Sequence, residues 1–177
     1  MAQPPTIHKF EIALADLDRD LYDSLSLTVA RHPSETATRM LARVLACGLN
    51  ADEAPSFGRG LSEADDADLW SHDLDGRIRS WIDVGEPTEK RIRKAIRQAD
   101  RVRIYAFTRK AEHWWAREGR NCARLGAEVF RVDGDALERF ADSLARTTRL
   151  SMTVSDGSVL LASDDGSEDV GIGRFES

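Results

Sequence analysis

Asp68 and Asp83 stand on either side of Asp75-Gly76, and hairpin arithmetic makes them a pair. Asp-Gly between two apolar runs signals a two-residue type I′ turn. Cross-strand partners are then residues whose numbers sum to 151, so Leu74 faces Arg77, Trp70 faces Trp81 and Asp68 faces Asp83. Opposed side chains have Cβ atoms about 4.5–5.5 Å apart on one face, with Leu69, Ile78 and Ile82 on the other. Two carboxylates so placed repel, and a divalent cation between them would turn the repulsion into a binding site. Hard cations such as Mg²⁺ or Mn²⁺ need only one or two carboxylates and keep water or substrate phosphate for the rest. The alternative is a hairpin ending in two solvated aspartates, and a one-residue slip would send them to opposite faces.

Just after Asp83 the chain turns basic: WIDVGEPTEKRIRKA occupies 81 to 95, and residues 90 to 103 hold seven Lys or Arg. On a helical wheel Lys90, Lys94, Arg97 and Arg101 lie opposite Ile92, Ala95, Ile96 and Ala99, which reads as a solvated face or as a phosphate-contacting one. Lys90 sits in the first turn, nearest Asp83, with Arg91, Arg93 and Lys94 as further nucleic-acid contacts. Upstream, Glu35 opens a helix with Arg39 four residues on; it is either an ordinary first-turn acid or a third acid of the site. Trp70 and Trp81 either pack on each other or offer a base a stacking surface.

Alternation positions these residues. Phe10, Ile12 and Leu14 before DLDRD, and Leu25, Leu27 and Val29 after it, have the period of a half-buried hairpin. Ala37, Met40, Leu41, Val44 and Leu45 recur at helical spacing, predicting a helix over 34–49, followed by an acidic loop over 51–66. Strands are expected over 67–73 and 77–84. Pro87 opens the basic helix, VRIYAF (102–107) reads as a buried strand, and 109–124 as a helix carrying Trp114 and Trp115. A strand over 127–132 precedes a helix capped by Asp135, with Glu138 three residues on and a stripe of Leu137, Phe140, Ala141 and Leu144. Leu150–Val154 and Val159–Leu161 flank Asp156-Gly157 in a last hairpin. Helices alternating with strands after an antiparallel start imply α/β: a mixed sheet with helices on both faces and flanking antiparallel hairpins.

A chain of 177 residues with 41% apolar content suits one domain, with only the tail from about 164 loosely ordered. Cys47 and Cys122 are too few and too far apart for a disulfide framework or four-ligand metal site, so they read as reduced thiols. No signal peptide or apolar run of membrane-spanning length is evident, so the expectation is cytoplasmic, with no membrane partner. The net charge of −6 argues against coating nucleic acid by bulk positive charge, but acids at 62–68 and in the tail set against the basic helix predict a polarised molecule. His8, His32, His72 and His113 show no zinc spacing. P-loop, nucleophile-elbow and dinucleotide fingerprints are absent.

HPSET at 32–36, LNADE at 49–53, GLSEADDADLW at 60–70 and WIDVGEPTEKRIRKA followed by VRIYAF resemble the YaeQ family of bacterial proteins, in order and spacing from about residue 6 to 163. The resemblance implies a variant of the restriction-endonuclease-like PD-(D/E)XK core, in a family without an established activity. Carried onto this chain, that pattern takes Glu35, Asp68 and Asp83 as its three acids, with Asp68 and Asp83 holding the metal. It also expects a lysine where Gly85 stands, and Lys90 or Lys94 would supply that charge from the following helix. The expected activity is Mg²⁺- or Mn²⁺-dependent phosphodiester cleavage of DNA or RNA. Its rival is a nuclease-derived module that has lost catalysis and binds nucleic acid or protein in a regulatory role.

Overall fold

A computed structural model describes residues 3–176. Ten strands form one mixed sheet in the order β2-β1-β8-β9-β10-β7-β6-β5-β4-β3. β1 (Thr6–Asp16) and β2 (Leu21–Arg31) are the expected first hairpin, and β8 (Thr147–Ser155) and β9 (Ser158–Ser163) the last. β8 runs parallel to β1. β3 (Ser56–Phe57) and β4 (Leu69–His72) pair antiparallel on one side of β5 (Ile78–Val84). β5, β6 (Ala99–Ala106) and β7 (Glu128–Val132) are parallel, joined by helical crossovers.

The crossover helices carry the sequence's own stop and start signals. α2 (Glu89–Gln98) is capped by Thr88, whose hydroxyl accepts from Arg91 N, and its buried Ile92 and Ala95 face the sheet. α3 (Ala111–Trp114), a π-helical segment (Trp115–Gly119) and α4 (Arg120–Arg124) follow as one helical stretch, burying Trp114, Trp115 and Cys122 beside Ile92, Val102 and Val129. α1 (Ala37–Leu49) and α5 (Gly134–Ala141) cover the other face. Their core includes Phe10, Leu41, Leu69, Ile82, Leu137, Met152 and Leu161, drawn from both halves of the sheet. The sheet therefore curls around α1 and α5 into a nearly closed barrel, rather than the plain layer that a mixed sheet with flanking hairpins suggested. Among the described residues its edge strands, β2 and β3, do not pair by backbone. Arg43 of α1 bridges them, donating to Ala30 O of β2 at 3.1 Å while its guanidinium packs 5.5 Å from the Phe57 ring of β3.

Four local expectations change. The tail expected to be loose from about 164 instead forms a strand: β10 (Gly166–Arg174) pairs with β9 and β7. Only Val170 of that strand is buried, so its apolar signal is weak and pairing on both sides holds it. Asp133, not Asp135, caps α5, its Oδ1 accepting from the amides of Asp135 and Ala136. α1 starts after Thr36, whose hydroxyl accepts from Arg39 N, so Glu35 precedes the cap instead of filling the first turn. The turn before β5 is wider than two residues: Asp73 N donates to Arg77 O, and the Asp73 carboxylate accepts from the amides of Asp75 and Arg77. A bulge then opposes His72 to Ile78 and Ser71 to Ser80, restoring Trp70↔Trp81 and Leu69↔Ile82. The register holds beyond it, while Ile78 moves to the Trp81 side of the sheet.

Candidate functional site

β5 delivers Asp83 to its carboxyl end and the chain entering β4 delivers Asp68 opposite it. Each backbone then binds the other's carboxylate: Asp68 N donates to Asp83 Oδ1 at 3.2 Å, and Val84 N to Asp68 Oδ2 at 2.9 Å. Two helical layers supply the counter-charge. From α2, Arg91 forks onto Asp83, Nε to Oδ2 at 2.7 Å and Nη2 to Oδ1 at 3.0 Å. From α1, Arg39 Nη2 donates to Asp68 Oδ1 at 2.8 Å and Nη1 to Glu35 Oε2 at 2.7 Å. Arg43 completes the chain on Glu35, Nε to Oε2 at 3.0 Å.

Burial makes these contacts matter. Asp83 is 1% exposed, and burial pushes its carboxyl above the ordinary value; the charge of Asp68 adds to the rise and the Arg91 hydrogen bonds oppose it. Arg91 also lies 5.3 Å from the Trp81 ring. Among the described residues the buried Trp81 Nε1 has no partner in good hydrogen-bond geometry. Trp70 and Trp81 meet edge to face at 5.9 Å, with Trp81 1% exposed, so they pack on each other and Trp81 offers no open face to a base.

A cavity of about 550 Å³ opens over the acids. Its walls include Arg39, Arg91 and Lys110, the 60–66 loop, and the Gly85–Pro87 turn. The loop is tied down by Arg91, which donates to the carbonyls of Ala64 and Asp66, and by Arg59 on Asp66. Glu86 also lines the cavity. Burial raises its carboxyl above the ordinary value, against long contacts from the amides of Phe107 (3.4 Å) and Thr108 (3.5 Å).

Asp68 and Asp83 stand together as the hairpin register suggested, and Arg91, read from the sequence only as a nucleic-acid contact, takes the place beside Asp83 that the spacing gave to Lys90. Glu35 does not reach the cavity: at 3% exposure it sits behind Arg39, holding that arginine and Arg43. Lys90 is exposed and outside the lining. Arg93 and Lys94 are exposed too, paired with Glu89 and Asp65. Arg91 takes the inner position because it lies four residues before buried Ala95, at the margin of the apolar stripe. Lys110 and Glu86 went unread because both sit in connections, where side-chain direction has no period.

Gly85, where the lysine of the nuclease pattern would stand, has φ +94°. Its amide donates to Tyr105 O at 2.8 Å. The turn into Pro87 needs the left-handed region, which a side chain enters only with strain. Two carboxylates suit a hard divalent cation, and among the described residues Asp68 Oδ1, Asp68 Oδ2 and Asp83 Oδ2 each accept from one donor, leaving lone pairs. Among the described residues no group of three or more His, Cys, Asp or Glu converges. No helix of the described residues is long and apolar enough to cross a membrane.

Residues 1–172 match the family model described as YaeQ protein. Two relatives, each named "Uncharacterized protein YaeQ", come from Salmonella typhi, 39% identical over 92% of this chain and 91% of that protein, and from Escherichia coli (strain K12), 37% identical over 99% and 98%. Among solved structures, the YaeQ protein from Xanthomonas axonopodis pv. citri superposes with a TM-score of 0.92 at 35% identity, covering 98% of this chain and 99% of that one. The YaeQ protein from Pseudomonas syringae superposes with the same TM-score at 36% identity, over 99% and 98%. The chain belongs to the YaeQ family.

Proposed function

We propose that the Asp68–Asp83 cavity is a metal-dependent phosphodiester-cleaving site acting on DNA or RNA, within a β4–β5–α2–β6 unit descended from a PD-(D/E)XK-like core. One observation carries this reading: two carboxylates, locked together by reciprocal backbone hydrogen bonds, floor a solvent-open cavity whose other charged groups include two guanidiniums. Asp68 and Asp83 would hold Mg²⁺ or Mn²⁺, which when bound supplies an acidified water and screens negative charge on phosphate. Arg91 and Arg39 present planar donor pairs that match phosphate oxygens bidentately. Arg91, not Lys90, then stands in for the lysine missing at Gly85. The exposed face of Lys90, Arg93 and Lys94 serves as approach surface for a polyanion.

A second reading, a catalytically silent module that binds nucleic acid or protein, is favoured by a specific feature. Each of the two acids already has an arginine, so the site is neutralised without an ion. Titrating Mn²⁺ by calorimetry into wild type, Asp83→Asn and Arg91→Ala separates the two. The metal reading expects heat in wild type, its loss in Asp83→Asn, and tighter binding in Arg91→Ala, where the competing guanidinium is gone. Identical traces for wild type and Asp83→Asn remove the ion and leave the silent module.

A further inference from the structure

The cavity over Asp83 is not a closed bowl. A second cavity, of about 480 Å³, adjoins it, lined by Thr36, Thr38, Arg109 and Gly134 among others. Phe107, Thr108 and Lys110 line both. This common wall follows the carboxyl end of β6, beside the carboxyl ends of β5 and β7, where open α/β sheets place their ligands. Gly134 lets α5 rest directly on the β6 end: a Cβ there would stand 1.8 Å from Phe107 O.

Charge is uneven along this path. Lys110 is exposed and has no ion-pair partner among the described residues, while Arg109 is held by Asp135 at 3.3 Å. Glu138 adds an acid to the far cavity and Glu86 one to the near cavity. The uncommitted cation therefore stands on the ridge between the cavities, beside the exposed Thr108, whose hydroxyl accepts from Lys110 N at 3.2 Å. A ligand with a single phosphate at Arg39 and Arg91 makes no use of that ridge. A chain of phosphates does.

We infer that Lys110 and Thr108 form a second phosphate subsite, and that the ligand is a single polynucleotide strand crossing from the Asp68–Asp83 cavity to the Thr36–Thr38 cavity. The inference rests on the phosphodiester reading of the first cavity and adds the form of its substrate. Depth selects a single strand: Asp83 is 1% exposed, at the foot of a cavity walled by the 60–66 loop. A flexible strand can fold one phosphate into that recess, whereas duplex DNA, stiff over about 150 base pairs, keeps its phosphates on a smooth cylinder.

The test is fluorescence anisotropy on the full chain with labelled single-stranded DNA and RNA of about ten nucleotides. The matching DNA duplex, and AMP as competitor, complete the set. Lys110→Ala, at an exposed position, should weaken both single strands severalfold and lower the salt slope by about one, with a smaller effect on AMP, whose single phosphate occupies only one subsite. The DNA and RNA arms show which sugar the groove prefers. Equal affinity and slope in wild type and Lys110→Ala overturn the inference, as do duplex binding as tight as single-strand binding and failure of both strands to bind. A Mn²⁺ titration separates this from failure of the first reading. Asp83-dependent heat with no Lys110 effect removes only the subsite, whereas a Lys110 effect without such heat keeps the strand path and removes the ion.

Discussion

Arg91 holds Asp83 with two parallel hydrogen bonds, at 2.7 and 3.0 Å, in a place where Asp83 has almost no access to water. The pair is a balance of large opposed effects. Desolvation disfavours the charged carboxylate and raises its pKa, and the Arg91 fork opposes that rise. The same guanidinium reaches the carbonyls of Ala64 and Asp66, so one side chain fixes both the floor of the cavity and the loop that walls it.

Removing one partner is accordingly costly. Arg91→Ala should destabilise the fold by about 3–5 kcal/mol in urea unfolding, because it strands a buried carboxylate. Adding Asp83→Asn should recover a large part of that loss, since the stranded charge is then gone. Additive effects of the two substitutions would show that the fork contributes nothing beyond its separate members.

Glu35 belongs to the architecture. It holds Arg43, which joins the two sheet edges through Ala30 O and the Phe57 ring. Glu35→Gln should cost about 3 kcal/mol in thermal or urea unfolding, by leaving a 3%-exposed guanidinium without its counter-ion. Its Mn²⁺ heat per folded molecule should stay near wild type, in contrast to Asp83→Asn. Loss of the heat at unchanged stability would instead return Glu35 to the site.

What the sequence disclosed follows from the range of each interaction. Alternation around Phe10 and Leu27, the Ile92–Ala95 stripe and the Asp156-Gly157 turn are local, and all three are in the structure. The Asp68–Asp83 register was legible even though its turn was misread, because the bulge after Ser71 cancels the wider turn. Barrel closure by Arg43 was not legible, since nothing in residues 37–49 marks an arginine that caps a strand 13 residues earlier in the chain. The ordering of β10 was hidden for a similar reason: two neighbouring strands hold it by backbone pairing, which leaves little trace in side-chain pattern.

Glu86 supplies a pH signature. Burial raises its folded-state value above the ordinary 4.5, with the amides of Thr108 and Phe107 and the charge of Lys110 opposing the rise. A raised carboxyl contributes stability that is fully present below the unfolded value and is lost as pH climbs through the folded value. Glu86→Gln cannot ionise and keeps that contribution. Relative to wild type it should therefore be more stable at neutral pH, with the gap closing below pH 4.5, measured as urea midpoints. A gap independent of pH would mean that the Glu86 carboxylate pays no burial cost.

Gly85 offers the most direct separation of chemistry from backbone geometry. Gly85→Lys would place the nuclease pattern's lysine beside Asp83, at a φ of +94° that costs a side chain about 1–2 kcal/mol. Space is not the obstacle: the nearest atom to a Cβ there is Phe107 Cε1 at 3.9 Å. On backbone strain alone Gly85→Ala and Gly85→Lys would be destabilised equally in urea unfolding, since neither clashes, whereas the metal reading expects Gly85→Lys to be the more stable of the two. If Gly85→Lys proves clearly more stable than Gly85→Ala, the added ammonium is being held by the Asp68–Asp83 pair. Those acids would then be short of positive charge even with Arg39 and Arg91 in place, which is the condition a metal ion at the same position requires. Equal stabilities would show that the arginines already satisfy them.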